Sequence, residues 1–397
     1  MLRPTPPSYS TKYEDSGHAE TQESRSRARL GTYCCVGRAS AHCPGARTLP
    51  HCVFGEDPAI ARAIASKSCL VAIRAGLVAA GCPDETSTLL QYVRLMKFRY
   101  LRGLYRAGDW DRVCLRTIAW LHAVHPETAT YPAVFADDDV SIIPAKGLPF
   151  YFFPCLEQRG LRFQPLFFHE FGHLLYKCHE QELDVMVGEF QQIVESELLP
   201  ASQRNDQYAQ EQARIRQSVV ETWYKWTQEF FCDAVGFVIG GPSFLNAFSE
   251  YVNKFQLSDY YRQPSDLHGS THPVSRLRIE LLAERAEANG FEQHAARIVD
   301  QWTETANLLT LTEDHHGFYT ASLKGALSQT LSDMLVEVSP RKCTDQEATG
   351  MGWDSQPHNL VALLNQTWSK YFEGPGEFQS WERSVLEQAY GLSGDTA

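Results

Sequence analysis

Residues 165–176 read Pro-Leu-Phe-Phe-His-Glu-Phe-Gly-His-Leu-Leu-Tyr, and this run constrains the chain more than any other. His169, Glu170 and His173 sit inside an otherwise apolar segment whose flanks call for a buried helix. A buried carboxylate or imidazole is costly unless something partners it. On an α-helix, residues four apart share a face, about 6 Å apart along the axis, so His169 and His173 point the same way. Two imidazoles so placed can hold one metal ion between them, and Glu170 projects beside it, where it can hold a water. Zinc suits two imidazoles and one carboxylate with a fourth position left for water. The segment therefore asks for a third ligand from elsewhere in the chain.

The next long helical stretch, residues 212–239, supplies one. Glu229 and Asp233 lie four apart on one face, between Trp223, Tyr224 and Trp226 on one side and Phe230 and Phe231 among them. Carboxylates in so apolar a helix need a partner or a cation. Glu229 can ligate the metal, and Asp233 can accept the N–H of a ligand histidine, with His169 favoured, and so fix its tautomer. Gly236, three residues beyond Asp233, offers a place for a neighbouring helix to approach. The alternative is that both carboxylates lie on a solvent-exposed stripe.

A third element follows at residues 266–282. Pro273 suits the start of a helix, with Thr271 or His272 as its N-cap, and Arg278 lies about one and two-thirds turns beyond His272. His-Glu-x-x-His, then Glu-x-x-x-Asp, then Thr-His-Pro followed by Arg278 resemble, in that order, the gluzincin metallopeptidases. The likeness is to the CAAX-prenyl-protease and heat-shock membrane-protease type, and it runs over residues 165–285. It implies a zinc endopeptidase with metal ligands His169, His173 and Glu229, a base at Glu170, Asp233 behind the ligands, and His272 and Arg278 near the active-site cleft. It also implies a zincin-like catalytic core: a small sheet with an active-site helix and a glutamate helix. This chain departs from the group in two ways. It lacks the membrane-spanning helices usual there, and a long polar spacer, rich in Gln and Glu, separates His173 from Glu229.

On this reading Glu170 takes a proton from the attacking water and passes it to the leaving amine. The oxyanion needs a donor besides the metal, with His272, then Arg278, then Tyr260 or Tyr261 as candidates. Strand-like residues 140–153 could pair with an extended substrate. The insert at 179–211 could lie over the cleft and hold the enzyme latent. The competing reading is a catalytically silent, zinc-stabilised regulatory or protein-binding module, although a purely structural site has no use for Glu170.

The rest of the chain sets the frame: an α+β protein, predominantly α. Residues 1–55 read as a disordered tail, rich in Ser, Arg, Pro and Gly, whose Cys34, Cys35, Cys43, Cys52, His42 and His51 match no zinc module. Residues 56–128 read as a helical N-terminal region, 129–290 as the metallopeptidase domain, and 291–397 as a helical C-terminal region able to contact a protein partner. Strands are expected at 131–135 and 140–143, around the acidic turn Asp137-Asp138-Asp139, followed by the aromatic run 149–154. His122, His125, His179, His268, His315 and His316 lack partners at motif spacing and read as structural or surface residues.

With 36 basic and 48 acidic residues the net charge is −12, which argues against a nucleic-acid partner. The apolar stretches 70–82 and 234–248 are interrupted, by Arg74 and by Gly240, Gly241 and Pro242, so neither spans a bilayer. No apolar leader is evident, and 11 cysteines, several in apolar helical segments, suit a reducing compartment. The expectation is a cytoplasmic enzyme acting on a protein or peptide substrate.

Overall fold

The computed structural model describes residues 111–128, 134–136, 139–144, 149–154, 157, 159–198, 207–255, 267–308, 310, 318–353 and 359–392. The expected tail 1–55, most of the expected N-terminal helical region, Asp137, Asp138, Tyr260, Tyr261, His315 and His316 lie outside the described residues. The elements, in chain order, are α1 (Asp111–Val124), β1 (Val134–Ala136), β2 (Ser141–Ile143), β3 (Phe150–Phe152), α2 (Leu166–Cys178), α3 (Glu180–Leu198), α4 (Gln207–Gly240), α5 (Pro242–Phe255), α6 (Ser275–Ala288), α7 (Glu292–Leu308), α8 (Leu323–Val338), α9 (Asp345–Ala348), α10 (Leu360–Glu373) and α11 (Pro375–Tyr390). The chain is thus predominantly helical with one small sheet.

The sheet has the order β1-β3-β2, with β1 parallel and β2 antiparallel to β3. All three residues of β3 are buried, because Phe150, Tyr151 and Phe152 are aromatic on both faces of the strand and a central strand can cover both. Helix α1 docks beside it. The His122 ring hydrogen-bonds Thr128 Oγ1 through Nδ1 at 2.7 Å and the Tyr151 hydroxyl through Nε2 at 3.2 Å. His125 Nδ1 bonds the Leu121 carbonyl, and its Nε2 accepts the backbone N–H of Arg341.

The core is built on α2 and α4. α4 is 34 residues long, about 50 Å at 1.5 Å per residue, and it buries Trp223, Trp226, Phe230 and Phe231. Helix α2 buries Phe167, Phe168, Phe171, Leu174 and Leu175. The two helices come closest at Gly172, where an added Cβ would sit 2.7 Å from the Cα of Cys232. Only a hydrogen at that position lets the backbones meet. Gly236 admits a neighbouring helix, as expected, but through a side chain. Its missing side chain makes room for the Phe244 ring of α5, not for another helix backbone.

Residues 199–206 of the insert expected over the cleft lie outside the described residues, and residues 180–198 pack into the core. The latter form α3, whose Leu183, Val187, Phe190 and Val194 recur at helical spacing and are buried against α4 and α8. Asp184 accepts hydrogen bonds from the Tyr176 and Tyr224 hydroxyls, at 2.7 and 2.8 Å, tying α3 to α2 and α4. Between α4 and α5 the chain turns at Gly241, whose φ is +59°, with Pro242 opening α5 where its missing N–H costs nothing. Asn365 of α10 clamps that turn: its Oδ1 accepts the Ser243 N–H and its Nδ2 donates to the Gly240 carbonyl.

The helices after residue 290 do not stand apart. α7 packs on α6 and α5, α8 on α3 and α4, and α10 on α5 and α4, so the described residues belong to one compact unit. Cys232 and Cys343 are free thiols. Among the described residues no helix is long and apolar enough to cross a membrane.

Candidate metal centre

His169 and His173 flank Gly172 on α2, and Glu229 and Asp233 flank Cys232 on α4, so the helix crossing itself brings the four side chains together. One ligand atom from each of His169, His173 and Glu229 lies within 4.8 Å of the other two. Glu229 Oε2 is 3.4 Å from His169 Nε2, and Oε1 is 3.5 Å from His173 Nε2. His169, Glu229 and Asp233 are buried and His173 is partly exposed. The solvent-exposed stripe is therefore excluded for both carboxylates.

Asp233 lies behind this group. Its Oδ1 is 2.9 Å from His169 Nδ1, the pairing expected, although the contact is off-line and leaves Nδ1 without a well-directed hydrogen bond. Both Asp233 oxygens accept from Arg278, at 2.8 Å from Nε and 2.8 Å from one terminal nitrogen. That same nitrogen is 3.5 Å from Glu229 Oε2, and the guanidinium lies over the Phe248 ring at 4.7 Å. Arg278 is only 4% exposed. Its charge is committed to Asp233 and Glu229, which corrects its expected place as an oxyanion donor in the cleft: it holds the acids that hold the site.

The electrostatics fit a cation. Burial works against charging His169, but Asp233 and Glu229 outweigh it and push its pKa up to about 10. Burial also opposes the charge on Glu229, yet His169, His173 and Arg278 hold its carboxyl well below the usual range; Arg278 and His169 do the same for Asp233 against its burial. Two carboxylates against one guanidinium leave an excess negative charge that His169 matches only by taking a proton. Burial lowers His173 to about 4, so its lone pair is free at neutral pH, as metal ligation requires. Glu229 Oε2 is buried with no hydrogen-bond partner. A buried carboxylate oxygen without a directed hydrogen bond, close to two imidazole nitrogens, suits a metal ligand.

Glu170 is 7% exposed, and burial raises its pKa to about 7, with the charge on Glu229 adding to the rise and those on His169 and Arg278 opposing it. His272 brings Nε2 to 3.6 Å from Glu229 Oε2, with its side chain 44% exposed. Solvent thus reaches the cluster from the side of His173 and His272. The segment carrying His272 is tied to α4: Gly269 N–H donates to Thr222 Oγ1, and Trp226 Nε1 donates to Ser270 Oγ. His268 is part of that tie, bonding Ser218 Oγ at 2.8 Å and setting its ring against Phe318. Helix α6 starts later than expected, at Ser275 with Val274 as N-cap and no side-chain cap. Val274 holds the extended backbone of the cap position, so neither Thr271 nor His272 is the N-cap.

One participant escaped the sequence. Phe248 of α5 stacks against His169, with ring centroids 6.3 Å apart, and underlies Arg278. Nothing in its local sequence marks it, since only the turn at Gly241 returns α5 to the site. Comparison with protein-family models, curated proteins and solved structures finds no match.

Proposed function

We propose that the protein is a zinc-dependent endopeptidase of gluzincin type, with a zincin-like core, acting on a protein or peptide substrate in the cytoplasm. The buried His169–His173–Glu229 group with its orphaned carboxylate oxygen carries this reading. His169, His173 and Glu229 would hold the ion, and the chemistry a bound zinc supplies there is Lewis-acid polarisation. Glu170 is poised for proton transfer. A carboxyl titrating near 7 can accept a proton from the attacking water and release it to the leaving amine. His272, on the open side, is placed to donate to the oxyanion of a cleaved peptide bond. Asp233 orients His169, and Arg278 orients Asp233 and Glu229 from behind.

Two measurements test this: zinc per chain, and cleavage of a peptide library. Wild type should carry about one zinc and Glu229→Ala much less. Glu170→Gln should keep the zinc and lose turnover; cleavage by that variant at the wild-type rate would overturn the assignment.

One observation favours a second reading, a catalytically silent zinc-stabilised module. His272 Nε2 lies close enough to Glu229 to serve as a fourth protein ligand, and four protein ligands make a closed, structural site. His272→Ala separates the two, since the first reading loses turnover and keeps zinc, whereas the second loses zinc.

A further inference from the structure

Behind the metal centre lies a second space. A cavity of about 370 Å³ opens between α4, α6 and α8, at the small end of the range for small-molecule sites. Asp233 and Arg278 form its inner wall, Leu281, Leu282 and Leu331 its apolar sides. Arg285 also lines it, seven residues beyond Arg278 and so on the same face of α6. The two arginines differ in one respect. Arg278 is matched by Asp233. Arg285 is partly buried, and among the described residues no carboxylate pairs with it; Glu284, which also lines the cavity, is matched by Lys324.

Burial accordingly pulls the Arg285 pKa below the usual arginine value, with no opposing charge to restore it. A guanidinium drawn out of water without a counter-charge is expensive. Facing it across the cavity, Ser328 and Ser332 stand one turn apart on α8. The Ser332 hydroxyl donates to the Ser328 carbonyl, and Ser328 brings a second hydroxyl to the same wall.

We propose that this cavity binds a small anionic amphiphile, a carboxylate on an apolar chain, with its head group on Arg285 and Ser328 and its chain against Leu281, Leu282 and Leu331. The unmatched cation fixes the sign of the head group. The leucines fix the character of the rest, and the volume limits it to a single short chain. This site does not depend on the proposed activity, because none of the residues that grip the guest is a metal ligand.

The test is calorimetric titration of the full chain with decanoate, decanol and decylamine, in the presence of a chelator so that metal occupancy plays no part. Decanoate should bind saturably, about one per chain, and decanol and decylamine about tenfold more weakly or worse, the worth of one charge-assisted hydrogen bond. Arg285→Met should bring decanoate down to the level of decanol. Ser332→Leu, which fills the cavity from the opposite wall, should abolish binding of both. Absence of saturable decanoate binding overturns the proposal, as do equal affinities for the three head groups or wild-type binding by either variant. Should Arg285→Met fail to fold, the head-group comparison on wild type and the Ser332→Leu titration decide alone.

Discussion

At the scale of single residues, the centre rests on Arg278. Its fixed charge is shared by two buried carboxylates, through its bidentate contact with Asp233 and its approach to Glu229. Replacing it with Met keeps bulk over Phe248 and strands both acids. Removing one partner of a buried pair costs about 3–5 kcal/mol, so Arg278→Met should lose that much stability in urea unfolding. Asp233→Leu added to Arg278→Met removes a stranded charge and should recover part of the loss, because a buried pair replaced by apolar groups is often neutral. Zinc affinity should not recover with it: loss of the carboxylate behind a histidine ligand costs about 10–100-fold, and competition with a chelating dye reads that directly. A double variant that regains both stability and zinc would show that Asp233 does not orient His169. His122 gives a residue-scale test of a different kind. Burial lowers its pKa to about 4, so between that value and the ordinary 6.5 the unfolded chain binds the extra proton. Its contribution is then complete above pH 6.5 and drains away as pH falls toward 4, up to about 3 kcal/mol in all. Unfolding free energies at pH 7 and pH 5 should therefore differ more in wild type than in His122→Gln.

At the scale of elements, the centre is a property of one helix crossing. The pairing of α2 with α4 was legible because four-residue spacing puts chemistry on one face of a helix, and two such faces with complementary ligands have reason to meet. The place where they meet was not legible. Gly236 was expected to admit a neighbouring helix and admits the Phe244 ring of α5, whereas the contact of α2 with α4 falls at Gly172, between the two histidines themselves. Sequence spacing marks the face of a helix but not the depth at which another helix seats on it. Gly172→Ala tests the difference. Its Cβ would meet Cys232 backbone at 2.7 Å, and backbone cannot rotate aside, so the helices must part. The expected cost is about 1–3 kcal/mol, as for overpacking, with weaker zinc binding because Glu229 moves away from both imidazoles. Gly188→Ala in α3 is the control. An added Cβ there meets nothing within 4 Å, so the variant should gain about 0.5–1 kcal/mol from helix propensity alone. Equal thermal shifts in the two variants would mean that the crossing tolerates separation. The start of α6 was misplaced for a related reason: Pro273 marks a helix boundary without fixing its position, and the extended Val274 puts the first helical residue at Ser275.

At the scale of the whole molecule, the sequence suggested three consecutive regions after the tail, the last able to meet a partner or cover the catalytic core, and the described residues of the last two pack together. Composition and periodicity are local quantities. They register where a helix ends but not whether its apolar face meets the preceding helices or the following ones. Here the faces cross the expected boundary at 290/291. Trp223 of α4 donates its indole N–H to the Phe318 carbonyl, α8 buries Leu327, Leu331 and Met334 against α3 and α4, and Asn365 of α10 holds the turn that brings Phe248 to the metal centre. A chain ending at residue 290 keeps every proposed ligand and loses all three supports. If the expected metallopeptidase domain were independent, that truncated chain would bind zinc as the full chain does and show a cooperative melt. The packing argues for the opposite outcome: exposed faces of α3 and α4, weak near-ultraviolet circular dichroism, binding of a hydrophobic dye, and poor zinc retention. Near-ultraviolet circular dichroism with zinc titration distinguishes them, and a cooperative, zinc-loaded fragment would show that α7–α11 cover the centre without building it.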